Sequence, residues 1–243
     1  MRREPVEMNN FEQYSFDSEY TQKRLSLNQY ISRTFSWMFL GLLVTFACAW
    51  FMAASGIVYR LFAIPMVMVL LLIAELVVVM VFSARIHKQS VNTGRLLFLL
   101  YSLLNGVVFS VYFVVFEVAS LIAIFGLTAL FFGAFALYGR FTKTDLSRLR
   151  PLLVGGLIFL VIAAVLTFFI GMTVMERIIC MVGIVIFLCF TAYDTQKIKA
   201  NYEFYYHDAE LLQKASIYSA LQLYLDFINL FLYLLRFLGR SRN

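Results

Sequence analysis

Charged side chains are scarce in this 243-residue sequence: Asp, Glu, Lys and Arg make up 14% of it, while 62% is hydrophobic. So few charges cannot cover the surface of a soluble domain of this size. Cys48, Cys180 and Cys189 lie inside apolar runs, without the spacing of a disulfide framework or a zinc site. His87 and His207 lie in connecting segments and predict no metal site. We therefore expect a membrane protein with no resident cofactor.

Apolar runs of spanning length are what the sequence has in abundance. Each covers about 20 residues, enough at 1.5 Å per residue to cross a hydrocarbon core of about 30 Å. They predict an all-α, polytopic membrane protein with a polar tail at residues 1–33 and a seven-helix transmembrane domain at residues 34–239. Pro65, in the first turns of the second run, is tolerable there. The seven runs are 34–55, 61–83, 95–116, 119–138, 151–172, 174–193 and 215–238.

Basic residues are distributed in the pattern of a membrane topology, which explains them better than a nucleic-acid partner does. They are frequent in the tail and in segments 84–95, 139–150 and 194–214, and sparse in most of the other connections. The positive-inside rule places these segments and the N-terminus in the cytosol. The last run is basic at both ends, so it either crosses the bilayer and puts three positive charges outside, or is a re-entrant or interior element.

The last run carries a row of polar residues whose spacing is helical. At about 100° per residue they fall within an arc of about 80° on a helix. Such a face needs contact with protein or water, which predicts a position inside the bundle. Gln222, Asn229 and Tyr233, with Asn105 in the third run, are candidates to line a pore, and hydrogen bonding between helices is the structural alternative. The row consists of Tyr218, Gln222, Asp226, Asn229, Tyr233 and Arg236.

Two aspartates carry the functional hypothesis. Asp226 lies in the middle of the last run, where a carboxylate costs a few kcal/mol unless it is protonated or paired. Asp194 closes the sixth run in the sequence TAYDTQKIK. If the two carboxyl groups meet in a poor dielectric they must share a proton. Their oxygens also suit transient binding of calcium, which prefers hard oxygen ligands. We expect a pH-sensitive site.

Other charges in or beside the runs need partners. Glu75 lies near mid-depth in the second run, and Arg236, still inside the last apolar run, is one possible mate. Arg85 begins the connection after the second run, at the right height to contact Asp194.

The pieces TAYDTQKIK and ALQLYLDFINLFLYLLRFLG resemble the signature of the Bax inhibitor-1, or transmembrane Bax inhibitor motif, family, as does the layout of seven spans. The resemblance implies six helices around a central seventh, and a pH-sensitive calcium leak gated by protonation of Asp194 and Asp226. It implies that Arg85 latches onto one of these aspartates. It also implies an ionic contact between Glu75 and Arg236. The lysine-rich tail of some animal members is missing, so cell-death suppression is not assigned.

Two other functions share an intramembrane aspartate pair. Intramembrane aspartyl proteases carry Tyr–Asp on one helix, as at Tyr193–Asp194, but their second aspartate follows a Gly-x-Gly that Asp226 lacks. We therefore expect no enzyme. A proton-coupled transporter of a small solute remains the alternative, because acidic residues in spans also serve proton relays.

The expected partners are the lipid bilayer, calcium and protons, and the sequence identifies no protein partner. The tail has no apolar core of a cleavable signal. This predicts a bacterial inner membrane, or the endoplasmic reticulum in a eukaryote.

Overall fold

The computed structural model describes residues 25–84, 90–170 and 173–242, and this part of the chain is helical. Within these ranges, six segments are long and apolar enough to cross a membrane. The predicted all-α, polytopic class is thus confirmed, with six such spans where seven were expected. A 3₁₀ turn, Leu146–Leu149, precedes α6. The helices are α1 (Leu27–Ala54), α2 (Ile57–Phe62), α3 (Val67–Ala84), α4 (Val91–Val115), α5 (Val118–Phe141), α6 (Arg150–Ile170), α7 (Thr173–Tyr205) and α8 (Ala209–Leu238).

The second predicted run, residues 61–83, is divided between two helices. α2 ends at Phe62, and α3 begins only at Val67. Pro65 and Met66 lie between them, and Met66 has a left-handed φ of 66°. Proline lacks the N–H of a helical hydrogen bond and disfavours helix at the preceding residue. The expectation that Pro65 sits inside the first turns of one long helix was wrong.

Three helices extend by six residues or more beyond the apolar runs that predicted them. α1 begins at Leu27, where Ser26 and Gln29 form a capping box. α7 continues to Tyr205 and α8 begins at Ala209, so the tyrosine-rich segment between the aspartates is almost entirely helical. Hydropathy detects only the part of a helix that suits hydrocarbon, whereas Lys, Ala, Glu, Leu and Gln continue a helix outside it.

α8 is the most buried of the spanning helices in the described part of the chain. In the most apolar stretch of α8, 56% of the residues are buried, whereas in the span Leu146–Thr167 the share is 11%. α8 therefore faces protein, while that span mostly faces outward. α8 contacts α1, α4, α5 and α7. Aromatic rings fill the interface: Phe231 lies 5.6 Å from Phe46 of α1, and Phe227 lies 5.3 Å from Phe125 of α5, measured between centroids. α3, by contrast, packs mainly on α4.

The last helix runs from one end of the bundle to the other. Beyond α8, Arg242 N donates to Val115 O at 2.8 Å, and Glu117 N donates to Arg240 O at 3.2 Å, so the chain after α8 lies at the α4–α5 junction. The opposite end of α5 meets α7 where Lys199 Nζ donates to a backbone carbonyl. α8 therefore extends along the bundle as one continuous helix.

Candidate proton-sensing site

The two predicted aspartates lie at the interface of α7 and α8. Asp194 is 6% exposed and Asp226 is 5% exposed. Thr191 and Ile198, three and four residues from Asp194, are buried on the same face of α7. The packing of α7 on α8 therefore turns Asp194 inward to the interface that holds Asp226, where the two carboxyl groups interact electrostatically.

Each carboxyl group has an oxygen that finds no donor. Asp194 Oδ1 and Asp226 Oδ2 are buried and have no hydrogen-bond partner in the described part of the chain. Two ionised carboxylates in this position would repel each other and leave these oxygens unsatisfied. One proton would turn one carboxyl into a donor for the other and remove both penalties. The geometry suits a group that takes up and releases a proton.

Lys197 is the cation that the structure places beside this pair. It follows Asp194 by one helical turn and interacts electrostatically with both aspartates. Its Nζ donates to Gln222 Oε1 of α8 at 3.4 Å and lies 5.9 Å and 5.8 Å from the ring centroids of Tyr193 and Tyr218. Among the described residues it closes no ion pair with either aspartate. Lys197 is thus held between α7 and α8, where its positive charge interacts with any negative charge on the pair.

The connection between α5 and α6 is fastened to α7 next to the site. Gln196 Nε2 donates to Thr144 O at 2.8 Å, and Leu146 N donates to Gln196 Oε1 at 2.8 Å. Hydrogen bonds from Ser147 hold the pKa of Asp145 below its usual value. This exposed carboxylate therefore stays ionised at neutral and mildly acidic pH.

The predicted polar face of α8 is less buried than expected. Only Asp226 of its six residues is buried, and Arg236 is exposed. The ring of Tyr218 stacks on the ring of Phe82 of α3, with 6.2 Å between the two centroids. Tyr233 lies against α7 at Gly183, where an added Cβ would come within 2.6 Å of the ring. The face therefore lies between α3 and α7, and only its Asp226 position reaches the closely packed interior.

The pore-lining candidates have local hydrogen-bond partners. Asn229 and Asn105 each donate to a backbone carbonyl one turn earlier in their own helix, at 2.8 Å and 3.1 Å. Gln222 accepts from Lys197. Each amide therefore keeps its carbonyl oxygen or its NH₂ group for a further contact.

Comparison with known proteins places the chain. A family model, Inhibitor of apoptosis-promoting Bax1, matches residues 27–243. The Inner membrane protein YbhL of Escherichia coli K12 is 41% identical over 223 residues, which are 91% of this chain and 95% of that protein. A protein of Borreliella burgdorferi is 35% identical over 91% of this chain and 96% of its own length. The chain belongs to the Bax inhibitor-1 family. The resemblance of the two aspartate-bearing pieces is thereby confirmed.

In this Bax inhibitor-1 family member, a second polar cluster joins α1, α4 and α8. Tyr224 is fully buried, and its hydroxyl lies 2.7 Å from Thr45 Oγ1 of α1. Thr45 Oγ1 also donates toward Ser102 O of α4 at 2.9 Å. Sequence reasoning missed this cluster because Tyr224 lies off the polar row of α8. No local spacing could indicate that Thr45, 179 residues away, is its partner.

Glu75 lies beside this second cluster and not beside Arg236. Its Oε1 is buried without a hydrogen-bond partner in the described chain, and it interacts electrostatically with Tyr101 and Tyr224. Arg236 is farther along α8 than Tyr224 by twelve residues, or about 18 Å. No ion pair joins Glu75 to Arg236 among the residues described. The predicted contact is not formed because the two side chains lie at different depths. Arg85, the predicted latch, lies outside the described residues.

Proposed function

We propose that this protein is a pH-sensitive calcium leak channel, gated by a proton shared between Asp194 and Asp226. The observation that carries the proposal is the meeting of two almost fully buried carboxyl groups, each with an oxygen that lacks a donor. A buried carboxyl pair that serves only structure would be expected to have every oxygen satisfied. Membership of the Bax inhibitor-1 family supports a role at the membrane.

The proposed channel is a seven-helix bundle with α8 at its centre. α3 has 18 residues, or a length of about 27 Å, close to the hydrocarbon thickness of about 30 Å. Modest thinning of the bilayer would let it form the seventh crossing. The burial of α8 and its contacts with four other helices support a central position.

Gating follows from the charge on the pair. With one shared proton, the carboxyl groups hold α7 and α8 together through a hydrogen bond. Without it, two negative charges repel and become available to Lys197 and to an incoming calcium ion, which prefers anionic and carbonyl oxygens. Gln222 and Asn229 would supply neighbouring carbonyl oxygens. The proton thus biases a two-state element at the α7–α8 interface.

Calcium flux into proteoliposomes, measured across pH, tests the proposal. Asp194→Asn and Asp226→Asn each remove one titratable carboxyl, and we expect both variants to lose most of the pH dependence. Asp145→Asn is the matched control, because Asp145 is exposed and outside the spans. A wild-type pH profile in both pair variants would reject the proposal, provided that thermal unfolding in detergent shows both to be folded.

Proton-coupled transport of a small solute is the second candidate. The division of the second apolar segment around Pro65 favours it, since interrupted helices are frequent in transporters. Saturable uptake of a solute driven by an imposed pH gradient would support the transporter. Calcium flux down its own gradient, without a proton gradient, would support the leak.

The proposed location is a bacterial inner membrane with the N-terminus in the cytosol. The name of the Escherichia coli relative, Inner membrane protein YbhL, supports this location. The basic segments at residues 139–150 and 194–214 support the orientation. The test replaces Cys48, Cys180 and Cys189 by Ala, introduces a single cysteine at residue 143 or 117, and labels intact cells with a membrane-impermeant thiol reagent. Labelling at residue 143 in intact cells would place segment 139–150 outside the cytosol and contradict the proposed orientation.

A further inference from the structure

A groove lies between α1 and α5, which do not pack closely on each other. One recess in it, of about 600 Å³, has a wholly apolar lining that includes Phe39 of α1 and Phe125 of α5. A second recess, of about 370 Å³, lies toward the start of α1 and the end of α5, with Phe35 and Gly133 in its wall. Phe35 and Phe39 are one turn apart, about 6 Å along the helix, so the two recesses follow one another along α1.

The far end of the smaller recess is polar and positively charged. Arg140 lines it and donates from Nη2 to Asn28 Oδ1 at 3.0 Å. Ser32 contributes a further hydroxyl to the lining. Within the described ranges no carboxylate forms an ion pair with Arg140. A guanidinium without an acidic partner, at the mouth of an apolar groove, is complementary to an anion with an apolar tail.

A buried hydroxyl in the same recess also lacks a partner. Thr195 is 3% exposed and belongs to the lining, and its Oγ1 finds no hydrogen-bond partner in the described part of the molecule. Leaving a buried hydroxyl unsatisfied is costly, so an oxygen of a bound molecule would stabilise it. Thr195 and Arg140 belong to different helices, α7 and α5, and share this one recess.

We propose that this groove binds one anionic phospholipid of the cytosolic leaflet. Its phosphate contacts Arg140, Asn28 and Thr195, and an acyl chain lies along the apolar recess at Phe39. Arg140 directly precedes Phe141, the last residue of α5. It therefore lies at the end of a span, at the depth where lipid headgroups are found. The binding does not depend on calcium leakage, although the lipid would lie directly beside the residue that follows Asp194 in the sequence.

Native mass spectrometry of the detergent-purified full chain tests the binding. The probes are phosphatidylglycerol, phosphatidylcholine with the same acyl chains, and inorganic phosphate. We expect one phosphatidylglycerol to be retained at least about tenfold more tightly than phosphatidylcholine, because both carry the phosphate but the choline ammonium of phosphatidylcholine is repelled by Arg140. Arg140→Gln should remove this preference. Arg148→Gln, with the same charge change at an exposed position near the same end, should keep it.

A space-filling variant tests the groove without altering charge. A Cβ added at Gly133 meets nothing within 4 Å, so Gly133→Leu should fold and block the recess. Gly155→Leu is the control, because Gly155 has equally open surroundings on α6 outside the groove. Equal retention of both lipids, or wild-type retention by Gly133→Leu, would overturn the proposal. Displacement of the lipid by millimolar inorganic phosphate would also overturn it, since the site would then recognise a free anion.

Discussion

The hydrogen bond between Tyr224 and Thr45 fastens α8 to α1 near the centre of the bundle, and its direction can be worked out. Thr45 Oγ1 lies 3.0 Å from Gly41 O and 2.9 Å from Ser102 O, and its one proton must go to a carbonyl. Thr45 therefore accepts from the Tyr224 hydroxyl, at 2.7 Å. The tyrosine is the donor in a fully buried pair.

Removing either partner should have a different cost. Tyr224→Phe leaves the Thr45 proton bonded to a carbonyl, so we expect a loss of about 1 kcal/mol in the free energy of unfolding. Thr45→Val leaves a buried tyrosine hydroxyl without this acceptor, for which we expect about 2 kcal/mol. The double variant removes both groups together and should cost about 1 kcal/mol less than the sum of the single variants.

Chemical denaturation in detergent micelles, followed by the fluorescence of the two tryptophans, measures these losses. Tyr138→Phe is the control, since Tyr138 is 54% exposed and the change should stay within about 0.5 kcal/mol of wild type. Strict additivity of Tyr224→Phe and Thr45→Val would refute the argument, because it would mean that the two hydroxyls do not interact.

Three further predictions follow from single contacts. Gly139→Ala would drive a Cβ into the α7 backbone and should cost about 2 kcal/mol, whereas Gly126→Ala meets open space; equal stabilities in the same denaturation assay would contradict this. Gln196→Ala releases the α5–α6 connection, so proteolysis there should accelerate, and unchanged cleavage would show that the clamp is unimportant. Lys197→Gln removes a cation beside the aspartates and should move the pH midpoint of calcium flux upward by up to about one unit. Lys143→Gln, at an exposed position, should not move it, and equal midpoints in the two lysine variants would refute the role of Lys197.

The aspartate pair shows how far local pattern reaches. Asp226 stands out in sequence because a carboxylate in an apolar run is costly wherever the helix packs. Asp194 lies at the end of an apolar run, three residues before Lys197, so its own surroundings do not distinguish a buried carboxyl from a solvated one. The structure turns both inward to the same interface, which local pattern could suggest but not determine.

The amino-acid sequence by itself determined the helical membrane class, most of the spans and the aspartates, because hydropathy and helical periodicity are properties of residues adjacent in the chain. The break at Pro65 also has a local cause, the missing N–H of proline, although one long helix was expected there. Only the tertiary structure decided that Tyr224 is hydrogen-bonded to Thr45 and that Lys197 lies beside the carboxyl pair. It also decided that Glu75 and Arg236 lie at depths too different for an ion pair. Those outcomes depend on which helices are neighbours and on their relative height, and packing across the whole bundle sets both.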